Sequence, residues 1–160
     1  MKHRLNLMEV DPSLMRAMFG LGAPLAKSGL ESGLIDLINF RVSQINGCAY
    51  CLDMHSKDLR AAGETEQRLY MLEAWRDAPL YSERERAALA WAEAMTLLTN
   101  KDVPDEVYEQ ARAQFSEQEL AVLSLAVVAI NSWNRLNIAF RTTAGGYQPG
   151  MFKSATHTTA

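Results

Sequence analysis

Cysteine is scarce in this chain: its 160 residues hold only two, which excludes a framework of structural disulfides. An excess of positive charge is missing too. Sixteen Lys and Arg stand against 19 Asp and Glu, for a formal net charge of −3, and no basic stripe is present of the kind a phosphate backbone requires. Arg84, Arg86 and Arg112 stand among Glu and Gln and read as a solvated helix face. Long apolar runs are also lacking. The most apolar stretch, residues 120–130, is too short to span a bilayer and is followed by Asn131 and Asn134. The first nine residues are charged and have no apolar core, so no signal peptide is expected. These absences predict a cytoplasmic protein with neither nucleic acid nor membrane as a partner. No segment alternates polar and apolar residues for long enough to suggest a strand.

What is present is helical. With 48% hydrophobic and 22% charged residues, the chain has the composition of a soluble globular domain and the length for one core. Asp11-Pro12 pairs an N-cap with proline at the first helical position, which opens a short helix to Met18. Gly20, Gly22 and Pro24 end it. Leu34, Leu37, Ile38 and Val42 recur at helical spacing over 30–44, and Asn46-Gly47 separates that helix from the next, which runs to Ala62-Gly63. A short helix is expected over 64–75. Ser82 with Glu85 and Ser116 with Glu119 form capping boxes at the starts of two longer helices, with a further helix between them from Pro104 to Phe115. The last helix, from Leu120 to about Arg141, is apolar almost all round, so it is either the central helix or has a face against another subunit. The prediction is one all-α domain over 1–160, a bundle of six to seven helices with its core at about 12–141. Gly145, Gly146, Pro149 and Gly150 make 142–160 an irregular tail.

Both cysteines fall in one place. Cys48 and Cys51 are three residues apart, and His55 follows Cys51 by four, so all three share one helix face. A helix beginning at Asn46 or Gly47 puts Cys48 in its first turn, where unpaired N–H groups favour thiolate over thiol. The imidazole one turn beyond Cys51 can take that thiol's proton or stabilise its anion. An activated thiolate cleaves a peroxide O–O bond, and a neighbouring thiol then resolves the sulfenic acid as a disulfide. Cys51, beside His55, is the candidate attacking thiol and Cys48 the candidate resolving thiol.

Other trades remain open for the cluster. A zinc site would have three ligands and wants four; His3 and His157 lie near the chain ends, and Asp36 would have to complete it. A redox sensor, a general reductase of protein disulfides and a pair of small buried hydrophobes are further alternatives. A c-type haem is excluded, because Leu52 and not histidine follows Cys51. Asp36, set among Leu34, Ile35, Leu37 and Ile38, reads as a partly buried acid suited to a proton relay. Tyr50 stands between the thiols as a gate or a packing residue. Met8, Met15, Met18 and Met54 are core fillers or the walls of an adaptable pocket. Trp75, Trp91 and Trp133 fit core packing. Asn131, Asn134 and Arg135 are expected to cap backbone or pair across a subunit contact.

The stretch 37–55, with Cys48, Cys51 and His55 in it, closely resembles the alkylhydroperoxidase D-like branch of the carboxymuconolactone decarboxylase family. The run 83–93 and Asn131-Ser132-Trp133-Asn134-Arg135 are similar to that family as well, so the likeness reaches from about Pro12 to Arg141. The resemblance implies an all-helical fold, a homo-oligomer (trimer or hexamer) and an antioxidant thiol peroxidase. Its substrate would be a hydroperoxide, its electron donor an external dithiol or disulfide reductase, and it would use no metal or organic cofactor. It also implies a relay in which an acid on the preceding helix acts through the histidine on the second cysteine. That acid is usually Glu, twelve residues before the first cysteine, where this chain has the shorter Asp36. Decarboxylases of the family lack the cysteine pair, so lactone decarboxylation is not expected here.

Overall fold

The computed structural model describes residues 2–152 and is all-helical; His157 and the end of the expected tail lie outside the described residues. Nine α-helices are present among them. Three short ones, α1 (Leu7–Val10), α2 (Pro12–Gly20) and α3 (Gly22–Ala26), precede α4 (Ser32–Asn46) and α5 (Ala49–Ala61). Then come α6 (Glu66–Met71), α7 (Glu83–Leu97), α8 (Asp105–Gln114) and α9 (Glu117–Phe140), with 3-10 turns after α6 and α7. The additional helices are mainly the short α1 and α3. Gly22 and Pro24, read as breakers, instead sit inside the one-turn α3. Both capping boxes form: Ser82 and Glu85 open α7, and Ser116 and Glu119 open α9.

The hub is α4 rather than the last helix. One stripe of α4 (Leu34, Ile38, Val42) packs with Ala87, Ala88 and Ala92 of α7 and Leu123, Val127 and Ile130 of α9. The small alanines leave room for α7 to lie close. Leu37 and Phe40 of α4 join a second cluster with Leu59, Leu69, Leu72 and Trp75. On α9, Val128 and Ile138 remain exposed. No single helix among the described residues is long and apolar enough to cross a membrane.

Of the arginines read as a solvated face, Arg84 and Arg86 are cross-element clamps. Arg84 pairs with Glu31 and Glu119, Arg86 donates to the carbonyls of Trp75, Arg76 and Ala78, and Arg112 donates to that of Phe115. Their sequence neighbours suggested solvent; the partners of Arg84 and Arg86 come from other segments and could not be read from the local pattern, whereas Arg112 caps the end of its own helix. The segment after α9 is irregular, as expected, and is tied to α5 as far as it is described. Lys57 donates to the carbonyls of Gly145 and Tyr147, and the amide of Gly145 donates to Asp53.

Candidate active site at the start of α5

The turn that carries the cysteines is fixed from both sides. Gly47 ends α4 at φ +69°, in the left-handed region where a side chain would be strained, and its amide donates back to α4. Asn46 Nδ2 donates to Asn131 Oδ1 (3.0 Å) and Asn134 Oδ1 (2.9 Å) on α9, and Asn134 Nδ2 donates to Ser43 Oγ (3.1 Å). This amide ladder anchors the turn to α9. It gives Asn131 and Asn134 a structural place, while Arg135 donates back to Asn131.

Cys48 is the N-cap of α5 itself, rather than a residue of a first turn begun at Asn46 or Gly47. Its Sγ accepts from the Cys51 amide at 3.3 Å, in the place Ser, Thr or Asp usually takes. The sulfur therefore faces the positive end of a 13-residue helix. Cys48 and Cys51 are joined as a disulfide, and each is 1% exposed. The two sulfurs differ in access. Cys51 lines a cavity of about 680 Å³, whereas Cys48 is not part of its wall. That volume lies in the range that holds small organic molecules, ~300–1,000 Å³.

His55, one turn along α5, lines the same cavity. It is buried, and among the described residues neither ring nitrogen has a hydrogen-bond partner. Burial lowers its pKa to about 4, which leaves the ring neutral at pH 7. The ring is thus a neutral group on the cavity wall rather than a standing cation. Asp36 lies half-buried on α4 outside the cavity wall, and no carboxylate hydrogen-bonds His55. Among the described residues no group of three His, Cys, Asp or Glu side chains is placed to hold a metal ion.

The rest of the wall comes from segments far apart in sequence. Met8, Met15, Met18 and Met54 all line it, as do Tyr50 and Trp133. Trp75 and Trp91 lie elsewhere, donating to Glu93 and Ser124. Phe19 meets Trp133 at 5.3 Å between ring centroids, and Phe152 stacks on Tyr147 at 5.8 Å, so α2 and the segment after α9 both contribute aromatic rings to the cavity wall. Burial and the neighbouring Asp58 push the Tyr147 hydroxyl up to about 12, which keeps it a donor to that carboxylate.

Sequence reasoning missed Asn137 of α9, whose Nδ2 donates to Cys51 Sγ at 3.5 Å. The only signal was one more asparagine in an otherwise apolar helix. Phe19 and Tyr147 were missed as well, because nothing local ties them to the cysteines.

Residues 12–94 match the carboxymuconolactone decarboxylase family. Over 144 residues the chain is 42% identical to the uncharacterized protein YdfG of Bacillus subtilis, covering 90% of this chain and 98% of that one. The crystal structure of ATU0492 from Agrobacterium tumefaciens, a protein of unknown function described as a candidate antioxidant defence protein AhpD, is 40% identical. It aligns with a TM-score of 0.87 and covers 91% of this chain and 100% of that one. The debrominase Bmp8 shares the fold, with a TM-score of 0.74 at 20% identity over 87% of this chain and 75% of its own. The chain belongs to the carboxymuconolactone decarboxylase family, in its AhpD-like branch.

Proposed function

We propose that the protein is a thiol-dependent peroxidase that reduces organic hydroperoxides through Cys51 and Cys48. One observation carries this reading: of two disulfide-bonded sulfurs, Cys51 alone lines an apolar cavity, and a buried neutral histidine shares that wall. In the reduced enzyme His55 accepts the Cys51 proton. The thiolate attacks one peroxide oxygen, so an S–O bond forms as the O–O bond breaks. The departing alkoxide takes the proton from His55 and leaves as alcohol. Sulfur has lost two electrons and the peroxide has gained them. Cys48 then attacks the Cys51 sulfenic acid, hydroxide leaves with the Cys48 proton as water, and the disulfide results.

An external dithiol returns the enzyme to its reduced state. Its thiolate attacks Cys51, the sulfur facing the cavity, and Cys48 departs as a thiolate stabilised at the helix N-terminus; the donor's second thiol then attacks the donor sulfur of the mixed disulfide, releasing Cys51 and leaving the donor as a disulfide. Asp36, on α4 outside the cavity wall, has a secondary place in this scheme as the acid of the relay through His55. The exposed Val128 and Ile138 on α9 suit a contact between copies, consistent with a homo-oligomer.

The fold alone does not select the reaction, because Bmp8 carries the same fold with a debrominase function. The apolar cavity and a Cys51 that is 1% exposed favour a small substrate over another protein's disulfide. Steady-state reduction of cumene hydroperoxide with excess dithiol tests the reading. Cys51→Ser should lose all turnover, and pre-reduced Cys48→Ser freed of dithiol should give at most one equivalent of product per chain. Full turnover in Cys51→Ser would overturn the assignment.

A further inference from the structure

The geometry points to Asn137 as the group that holds the anionic sulfur of Cys51, a role that deepens the peroxidase reading and rests on it only for the identity of the substrate. Asn137 Nδ2 lies 3.5 Å from Cys51 Sγ and 3.0 Å from the Trp133 carbonyl oxygen. Both neighbours are acceptors. Turning the carboxamide over would set its oxygen against a carbonyl oxygen and a sulfur, so the network fixes the N–H towards the sulfur.

Beside the His55 imidazolium formed by the proton transfer, the cavity wall offers this sulfur few other partners. A thiolate at Cys51 would be buried, and burial disfavours an unpaired charge. No Lys or Arg lines the cavity among the described residues. The ionisable groups that face it are His3 from the N-terminal segment, Tyr50, His55 and Asp58 from α5, and Tyr147 from the C-terminal segment. From α4 and α9 the polar side chains in the wall are the neutral Asn39 and Asn137. The amide at the start of α5 serves the other sulfur, since the Cys51 N–H points to Cys48. The helix terminus therefore stabilises Cys48 as leaving group and resolving thiol, while the α9 amide stabilises Cys51 as nucleophile. Two sulfurs one turn apart are activated by two separate devices. A hydrogen bond to the charged form of a thiol favours that form.

The chain has two cysteines, so Cys48→Ser leaves Cys51 as the sole thiol and its thiolate absorbance titrates one group. In that background Asn137→Leu should raise the titration midpoint by about one pH unit and slow alkylation by iodoacetamide at pH 7 about tenfold. Asn137→Asp, matched in size and carrying a negative charge when ionised, should raise the midpoint further, and it carries the test if the leucine variant does not fold. A side chain that only supports the fold would alter thermal unfolding and leave the midpoint in place. An unchanged midpoint in a folded variant overturns the role. A shifted midpoint in a protein that reduces no hydroperoxide would instead remove the peroxidase reading and leave the role of Asn137 standing.

Discussion

Glu93 on α7 and His55 on α5 are buried to nearly the same degree, 6% and 7% exposed, yet their surroundings are opposite. Glu93 accepts from Trp75 Nε1 at 2.9 Å, Arg41 Nε at 2.8 Å and Arg76 Nη1 at 2.5 Å. Burial pushes its carboxyl up, but the donors from Trp75, Arg41 and Arg76 together outweigh this and hold it below the ordinary value. His55 has no partner at either nitrogen among the described residues, and burial alone acts on it. A buried polar group with every partner present is part of the frame. One left without partners on a cavity wall is placed to exchange a proton with whatever enters.

This contrast fails if the two residues respond alike to substitution. The largest effect is expected at Glu93. Glu93→Ala strands the Arg41 guanidinium and the Trp75 indole N–H, and should cost about 3–5 kcal/mol in urea unfolding. The Cys51 titration should stay where it was. The next effect is pH-dependent and belongs to His55. The unfolded chain takes up the imidazole proton at about 6.5 and the folded protein only near 4. Between those values the unfolded state binds more protons, so stability falls as pH falls from 6.5 to 4, by up to ~3 kcal/mol. His55→Phe should remove this component of the slope, seen by comparing urea midpoints of the two proteins across that range. An identical slope in both would mean His55 is not buried as a neutral ring. The smallest effect is on rate. His55→Phe should lower hydroperoxide turnover at pH 7 on the order of a hundredfold. Its stability at pH 7 should be equal or higher, because two unpaired polar atoms have been removed.

How much was legible in the sequence follows the reach of each interaction. The caps at Ser82 and Ser116 and the α4 stripe of Leu34, Ile38 and Val42 depend on neighbours within two turns, and the structure has them. The cysteine–histidine spacing was legible for the same reason. The exact cap was not: Cys48 takes the N-cap place itself, because Gly47 uses the left-handed turn to close α4. Arg84 and Arg86 were misread because their partners lie on other elements. Asn137 meets Cys51 across 86 residues, and Glu93 meets Arg41 across 52. Such pairings depend on how the helices pack, which periodicity does not encode.

The central claim is that Cys51 and Cys48 form a two-electron redox pair for hydroperoxides. Counting thiols in the fully reduced protein before and after one equivalent of cumene hydroperoxide tests it most directly. The account predicts two thiols before and none after, with a mass decrease of about two hydrogens from the disulfide. Two thiols still titrating after the peroxide has been added would contradict it.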